Sequence, residues 1–187
     1  PIFDDASKQI TSDLENWLKA NPEITVIRFT TFFYHFFLIN NEKAQPKYFD
    51  WFGYAMSASP AMFQAFEKKK GYSLKIEDIV DEGYYANDFR IPTKQYLDYI
   101  DFVSEFVAEK MRGFIDVVHR YNREAMMFLG DNWIGAEPYG KYFPRMNLDA
   151  VVGSVNSGAT TRMLADIPGV KYHEIRLLPY FFPDALK

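Results

Sequence analysis

Glu124-Ala-Met-Met-Phe-Leu-Gly-Asp131-Asn-Trp-Ile-Gly135 is an apolar run that stops abruptly at a glycine, a carboxylate, an amide and an indole. A short run of this kind reads as a strand buried on both faces, the pattern of a parallel sheet covered by helices. Ligands of such sheets sit beyond the carboxyl ends of the strands, which puts Asp131 where an active-site acid is expected. Two later stretches repeat the form. Asp149-Ala-Val-Val-Gly-Ser-Val155 leads into Asn156-Ser157-Gly158, and His173-Glu-Ile-Arg-Leu-Leu-Pro-Tyr180 leads into Phe181-Phe182-Pro183-Asp184. An earlier one, Thr25-Val-Ile-Arg-Phe-Thr-Thr31, leads into Phe32-Phe33-Tyr34-His35.

Between these runs the chain reads as helix. Ile10, Leu14, Trp17 and Leu18 form one stripe in a first helix that Asp4 or Asp5 can cap and Asn21-Pro22 stops. Pro46 opens a helical reading through Tyr48, Trp51, Phe52 and Ala55, and Ser59-Pro60 and Gly71 bound another helix. The loop 81–92 has no period, and its charges, amide and aromatics suit a lid or a site wall. Thr93 caps the longest helix, with Tyr96, Tyr99, Ile100, Val103, Phe106, Val107, Met111, Phe114, Val117 and Val118 at helical spacing and Asn122 closing it. This helix is expected to cover the sheet. The three later strand candidates are spaced as in a (β/α)8 barrel, whose units run to roughly 30 residues. Only four strands are visible and the chain opens on a helix, so a partial barrel is expected in preference to a small open α/β sheet. The expected organisation is one catalytic-barrel segment over 1–187 with a helical insertion at about 41–92.

Composition narrows the function. The chain has 187 residues, 48% of them hydrophobic, so a sizeable core is within reach. A formal charge of −4 and no long basic run leave no electrostatic footprint for nucleic acid. Absence of cysteine excludes disulfides, thiolate nucleophiles and cysteine-ligated metals. No stretch approaches the length of a membrane span. His35, His119 and His173 are too scattered for a metal triad, and neither a dinucleotide fingerprint nor a P-loop occurs. The 18 Phe, 13 Tyr and 3 Trp exceed ordinary usage; most are core, but sugar sites also use rings as apolar platforms.

Asp131 has two readings: a turn residue after a strand, or a carboxylic acid held beside Trp133 that keeps its proton near neutral pH. Glu137 is the other acid nearby and, as the residue before a proline, can simply be wall or cap. Arg28 and Arg176 interrupt apolar strands, so each is expected to be buried and paired. The partner is either a carboxylate such as Glu174 or Asp149, or an anion at the strand ends. Tyr180 and Phe182, two apart, face one way and either pack or wall a sugar-sized pocket. Asn156-Ser157-Gly158 is a weak candidate for backbone anion binding.

At these residues the chain resembles the galactosyl-N-acetylhexosamine phosphorylases, also called lacto-N-biose or galacto-N-biose phosphorylases. The stretches that carry the resemblance are Val26-Ile-Arg-Phe-Thr-Thr-Phe-Phe-Tyr-His35, Asp50-Trp-Phe-Gly-Tyr54 and Asp78-Ile-Val-Asp-Glu-Gly-Tyr-Tyr85. They continue with Met127-Phe-Leu-Gly-Asp-Asn-Trp-Ile-Gly135, Glu137-Pro-Tyr-Gly-Lys-Tyr-Phe143 and Leu178-Pro-Tyr-Phe-Phe-Pro-Asp184. The resemblance implies the later part of a catalytic (β/α)8 barrel in a longer, cytoplasmic, homodimeric enzyme. It also implies inverting phosphorolysis of β-1,3-galactosyl-N-acetylhexosamine to α-galactose 1-phosphate and N-acetylhexosamine. Phosphate would be the co-substrate, with no metal or organic cofactor. By resemblance Asp131 is the general acid, and Arg28, Arg176, Tyr180 and Phe182 contact substrate or phosphate, with Trp133 and Glu137 beside them. Position 132 is asparagine here where other members carry histidine. The rival readings are a two-carboxylate glycoside hydrolase and a noncatalytic carbohydrate-binding module. A segment of a barrel is expected to be inactive alone.

Overall fold

The computed structural model describes residues 2–30, 39–40, 46–47, 49–50, 53–54, 58–79, 91–129, 141–154 and 158–176. In chain order these form α1 (Asp4–Ala20), β1 (Val26–Phe29), β2 (Ile39–Asn40), β3 (Pro46–Lys47), β4 (Phe49–Asp50), β5 (Gly53–Tyr54), α2 (Pro60–Lys70) and α3 (Ile76–Ile79). They continue with α4 (Lys94–Arg120), β6 (Glu124–Phe128), α5 (Phe143–Met146), β7 (Ala150–Ser154), α6 (Gly158–Ala165) and β8 (Tyr172–Arg176). Two compact units result, one built from Phe3–Thr31 with Ala108–Lys187, the other from Phe32–Val107.

The first unit holds a four-stranded sheet in the order β1-β6-β7-β8, parallel throughout. The four expected strands are therefore present and all run the same way. Ala125, Met127, Leu129 and Val151 are buried, as are Met111, Ile115 and Val118 of α4, Leu18 of α1, Met146 of α5 and Leu164 of α6. Burial is uneven across the sheet. β6 and β7 are lined with buried residues, whereas β8 is exposed along its whole length and β1 alternates between exposed and half-buried. The apolar patterns of β1 and β8 predict strands covered on both faces. Among the described residues of this segment each has a hydrogen-bonded neighbour on one side only.

The helix ends show which local signals decide. Ser59 Oγ accepts from the Met62 N–H at 3.3 Å, Pro60 occupies the first turn and Gly71 closes α2 at φ +81°, as its sequence predicts. Thr93 Oγ1 accepts from the Tyr96 N–H at 3.2 Å to start α4. Its end is a Schellman closure: Asn122 adopts φ +54° and donates to His119 O, while the Arg123 N–H reaches back to Val118 O. α1 differs from expectation. Phe3 is its N-cap and no side chain caps it, so Asp4 and Asp5 act through the charge of the first turn. Of its apolar stripe only Leu18 is buried; Ile10 and Trp17 stay exposed. The helix expected from Pro46 is also absent. Residues there form two short antiparallel ladders, β2 with β3 and β4 with β5. Aromatic residues favour extended chain, and a proline at a strand start is as acceptable as one at a helix start.

In the second unit Phe66 packs edge-on to Tyr72 and Phe102, with centroids 5.2 and 5.5 Å away. Lys69 and Lys70 of α2 pair with Glu105 and Asp101 of α4. Thus α4 does not serve the sheet alone. Its residues up to Val107 group with α2 and α3, and those from Ala108 onward with the sheet.

Candidate functional site

The strand register assigns side chains to faces. Arg28 pairs with Met126, Met126 with Ala150 and Ala150 with Tyr172, while Phe128 pairs with Val152 and Val152 with Glu174. Register partners in a parallel sheet share a face, and so do residues two apart on one strand. Arg28, Met126, Phe128, Val152, Glu174 and Arg176 therefore lie on one side, and Ala125, Met127, Leu129 and Val151 on the other. The second side is buried. The first is buried at Ala150 and Val152 but carries the exposed charges of Arg28, Glu174 and Arg176, the two arginines toward the carboxyl end, where parallel α/β sheets bind ligands.

There the two arginines converge. The guanidinium carbon of Arg28, from β1, lies 5.7 Å from the centroid of the Phe128 ring, and that of Arg176, from β8, lies 5.4 Å from the same centroid. Both arginines are exposed, and among the described residues neither has a carboxylate partner. In this segment the expected buried ion pair with a carboxylate is therefore not formed among the described residues; an anion remains the other expected partner. Glu174 and Asp149, named from sequence as possible partners, pair with neither. Phe128 was not singled out by sequence, because a phenylalanine inside an apolar strand carries no signal of its own. Only its register with the two arginines reveals it. Asp131, Trp133, Glu137, Tyr180 and Phe182 lie outside the described residues, as do His35, Asn156, Ser157 and most of the 81–92 loop.

The opposite end of the sheet is held by a different cluster. Asp149, just before β7 and 6% exposed, accepts from Lys171 Nζ on Oδ1 at 2.7 Å. On Oδ2 it accepts from His119 Nε2 at 2.7 Å and from the Ala125 N–H at 2.9 Å. Asn147 Nδ2 lies 3.4 Å from His119 Nδ1. Burial alone would raise the Asp149 carboxyl, but the bonds from Lys171, Ala125 and His119 outweigh it and hold it below the usual carboxylate range. Its placement at the amino ends of the strands makes this cluster structural.

An all-parallel sheet with helices and two arginines toward its carboxyl ends defines the class as an α/β scaffold of the barrel or doubly wound kind. The chain belongs to the family described as the lacto-N-biose phosphorylase N-terminal TIM barrel domain, whose family model matches residues 1–187. The four strands with their helices are thus a segment of a (β/α)8 barrel. The chain is 53% identical over 184 residues to a 1,3-β-galactosyl-N-acetylhexosamine phosphorylase of Bifidobacterium longum subsp. longum, covering 98% of this chain and 24% of the relative. It is 51% identical over 177 residues to a protein of the same name from Lachnoclostridium phytofermentans, covering 95% and 24%. A D-galactosyl-β-1→4-L-rhamnose phosphorylase of the latter organism is 35% identical over 188 residues, covering 100% and 26%. The chain spans about a quarter of the length of these relatives. Among the described residues no helix is long and apolar enough to cross a membrane.

Proposed function

We propose that this chain is the part of a phosphorylase barrel that handles the anion and the leaving group. The parent enzyme splits β-1,3-galactosyl-N-acetylhexosamine with inorganic phosphate. The observation that carries this reading is the pair of guanidiniums, free of carboxylate partners among the described residues, at the carboxyl end of the sheet. Hydrolysis ordinarily needs two carboxylates, one as acid and one as base or nucleophile. Phosphate is already anionic and serves as its own nucleophile, so one acid is enough. A phosphate oxygen attacks the galactose C1 from the face opposite the leaving sugar, the C1–O bond breaks, and Asp131 gives its proton to the departing oxygen. The configuration inverts from β to α, and the products are α-galactose 1-phosphate and N-acetylhexosamine. Arg28 and Arg176 offset charge repulsion and orient the phosphate, while Trp133, Glu137, Tyr180 and Phe182 shape the sugar pocket. The reaction requires neither metal nor organic cofactor. The family resemblance extends the reading to a cytoplasmic, homodimeric full-length enzyme. Both relatives near half identity are named for the N-acetylhexosamine acceptor and the more distant one for rhamnose, which favours the former here.

The test uses the full-length protein that contains this segment. The expected result is release of N-acetylhexosamine from the β-1,3 disaccharide only when phosphate is present. Release of free galactose in phosphate-free buffer would identify a hydrolase instead, and binding without turnover a carbohydrate-binding module. Asp131→Asn should cost about 10²–10⁴-fold with the natural disaccharide, the usual value of general-acid assistance. An aryl galactoside, whose leaving group needs little protonation, should lose far less; equal losses on both donors would remove Asp131 from the acid role.

A further inference from the structure

One aromatic ring carries two cations. Because Arg28 Cζ and Arg176 Cζ lie 5.7 and 5.4 Å from the same Phe128 centroid, the distance between the two charges is bounded by the sum of those lengths. Like charges gathered in this way repel, and the repulsion grows as water is excluded. A carboxylate placed between them is the usual remedy. Here Glu174 shares their face of the sheet and forms no ion pair with either, and Asp149 is committed to His119 and Lys171 at the other end. Among the described residues, what the two guanidiniums share is the Phe128 ring. A ring's quadrupole attracts a cation without cancelling its charge. A guanidinium resting on it also keeps its in-plane N–H fork free to donate. An intervening carboxylate would neutralise the pair and compete with an incoming anion; a ring orients both and leaves the positive charge available.

We propose that Phe128 is a positioning residue, a shared platform that holds the side chains of Arg28 and Arg176 ready for one tetrahedral oxyanion, inorganic phosphate. The identity of the anion rests on the phosphorylase reading; the platform role does not. Phe128 is half-buried at the last position of β6, where it follows Met127 and Met126 with no side-chain function of its own in the core. On this proposal its contribution passes through the two guanidiniums, so losing the ring should weaken the anion without weakening the sugar.

The experiment is calorimetric binding of inorganic phosphate to the full-length protein, comparing wild type, Phe128→Leu and Phe128→Tyr, with the KM for phosphate and for disaccharide measured alongside. Phe128→Leu keeps an apolar side chain of similar bulk but has no π-face. It should weaken phosphate binding roughly tenfold, the equivalent of one or two cation–π contacts. The KM for phosphate should rise in parallel and that for disaccharide stay near wild type. Phe128→Tyr restores the face and should bind phosphate nearly as wild type does. The proposal is overturned if Phe128→Leu binds phosphate as tightly as wild type, if Phe128→Tyr is as weak as Phe128→Leu, or if wild type binds no phosphate. Turnover that proves independent of phosphate would defeat the phosphorylase reading instead, while the binding comparison still decides the role of the ring.

Discussion

Asp149 joins segments that are far apart in sequence: the end of α4 through His119, the start of β6 through Ala125 and the approach to β8 through Lys171. Its replacement by asparagine keeps the shape and removes the charge, so the expected loss is roughly 1.5–3 kcal/mol, the range for hydrogen bonds to a charged group. The pH dependence follows from the direction of the shifts. The Asp149 carboxyl is held down in the folded state, so its stabilisation is full above the ordinary carboxylate value and is lost as pH falls through the depressed one. Lys171 is held up by the hydrogen bond and charge of Asp149, so its share is full below the ordinary lysine value and is lost as pH rises through the raised one. Urea midpoints should therefore differ most between wild type and Asp149→Asn near neutrality, and the gap should narrow in acid. A gap that persists unchanged well below about pH 3 would contradict this linkage. Residues of the candidate site were legible to different degrees. Arg28 and Arg176 stood out because a charge inside an apolar strand is anomalous. Their exposure did not, since it depends on which strands flank the sheet. Phe128 left no trace in the sequence, because its role is defined by register and not by residue type.

Among the elements, α5 and the turn before β8 meet through a glycine. Gly169 sits at φ +79°, and a Cβ there would stand 2.7 Å from Pro144 Cα, a backbone atom that no rotamer change can move. Gly71 has nearly the same backbone, φ +81°, with nothing within 4 Å of the added carbon. The pair separates two costs. Gly71→Ala should lose about 1 kcal/mol for the left-handed backbone alone. Gly169→Ala adds the displacement of α5 and should lose about 2–3 kcal/mol more, within the range for overpacking. Thermal midpoints of the two variants measure the difference; equal losses would mean that α5 yields freely. The same scale shows what local sequence can specify. Ser59-Pro60, Gly71, Thr93 and Asn122 set their helix ends by short-range hydrogen bonds or backbone preference, and these ends were read correctly. Pro46 to Tyr54 was misread because its aromatic spacing satisfies a helical period and an extended ladder equally, and pairing between strands decided between them. The α1 stripe was over-read: periodicity predicts a face but not whether a neighbour covers it.

At the scale of the whole molecule the chain contributes four consecutive members of a parallel array, while barrel pockets draw on strand ends around the full ring. The isolated 187-residue chain is accordingly expected to turn over the β-1,3 disaccharide far more slowly than the full-length protein, since a misplacement of about 1 Å can already cost 10²-fold. Phosphate-dependent release of N-acetylhexosamine by both, under the same conditions, checks this; comparable kcat/KM values would mean that the segment holds a complete site. The parallel direction was readable from repeated apolar runs ending in polar residues, and the open edges follow from a count of four strands where a closed barrel needs eight. The pairing of β1 with β6 has a further consequence, for the order of folding. The contacts that bring the first helix and strand home, such as Arg120 to Glu15 across 105 positions and Arg123 to the Pro22 carbonyl across 101, close very long loops. The entropy of that closure must be met before the contacts repay it, and high contact order slows folding. During synthesis β1 leaves the ribosome long before its partner exists. Within this segment the longest wait is therefore the interval between β1 and the arrival of β6.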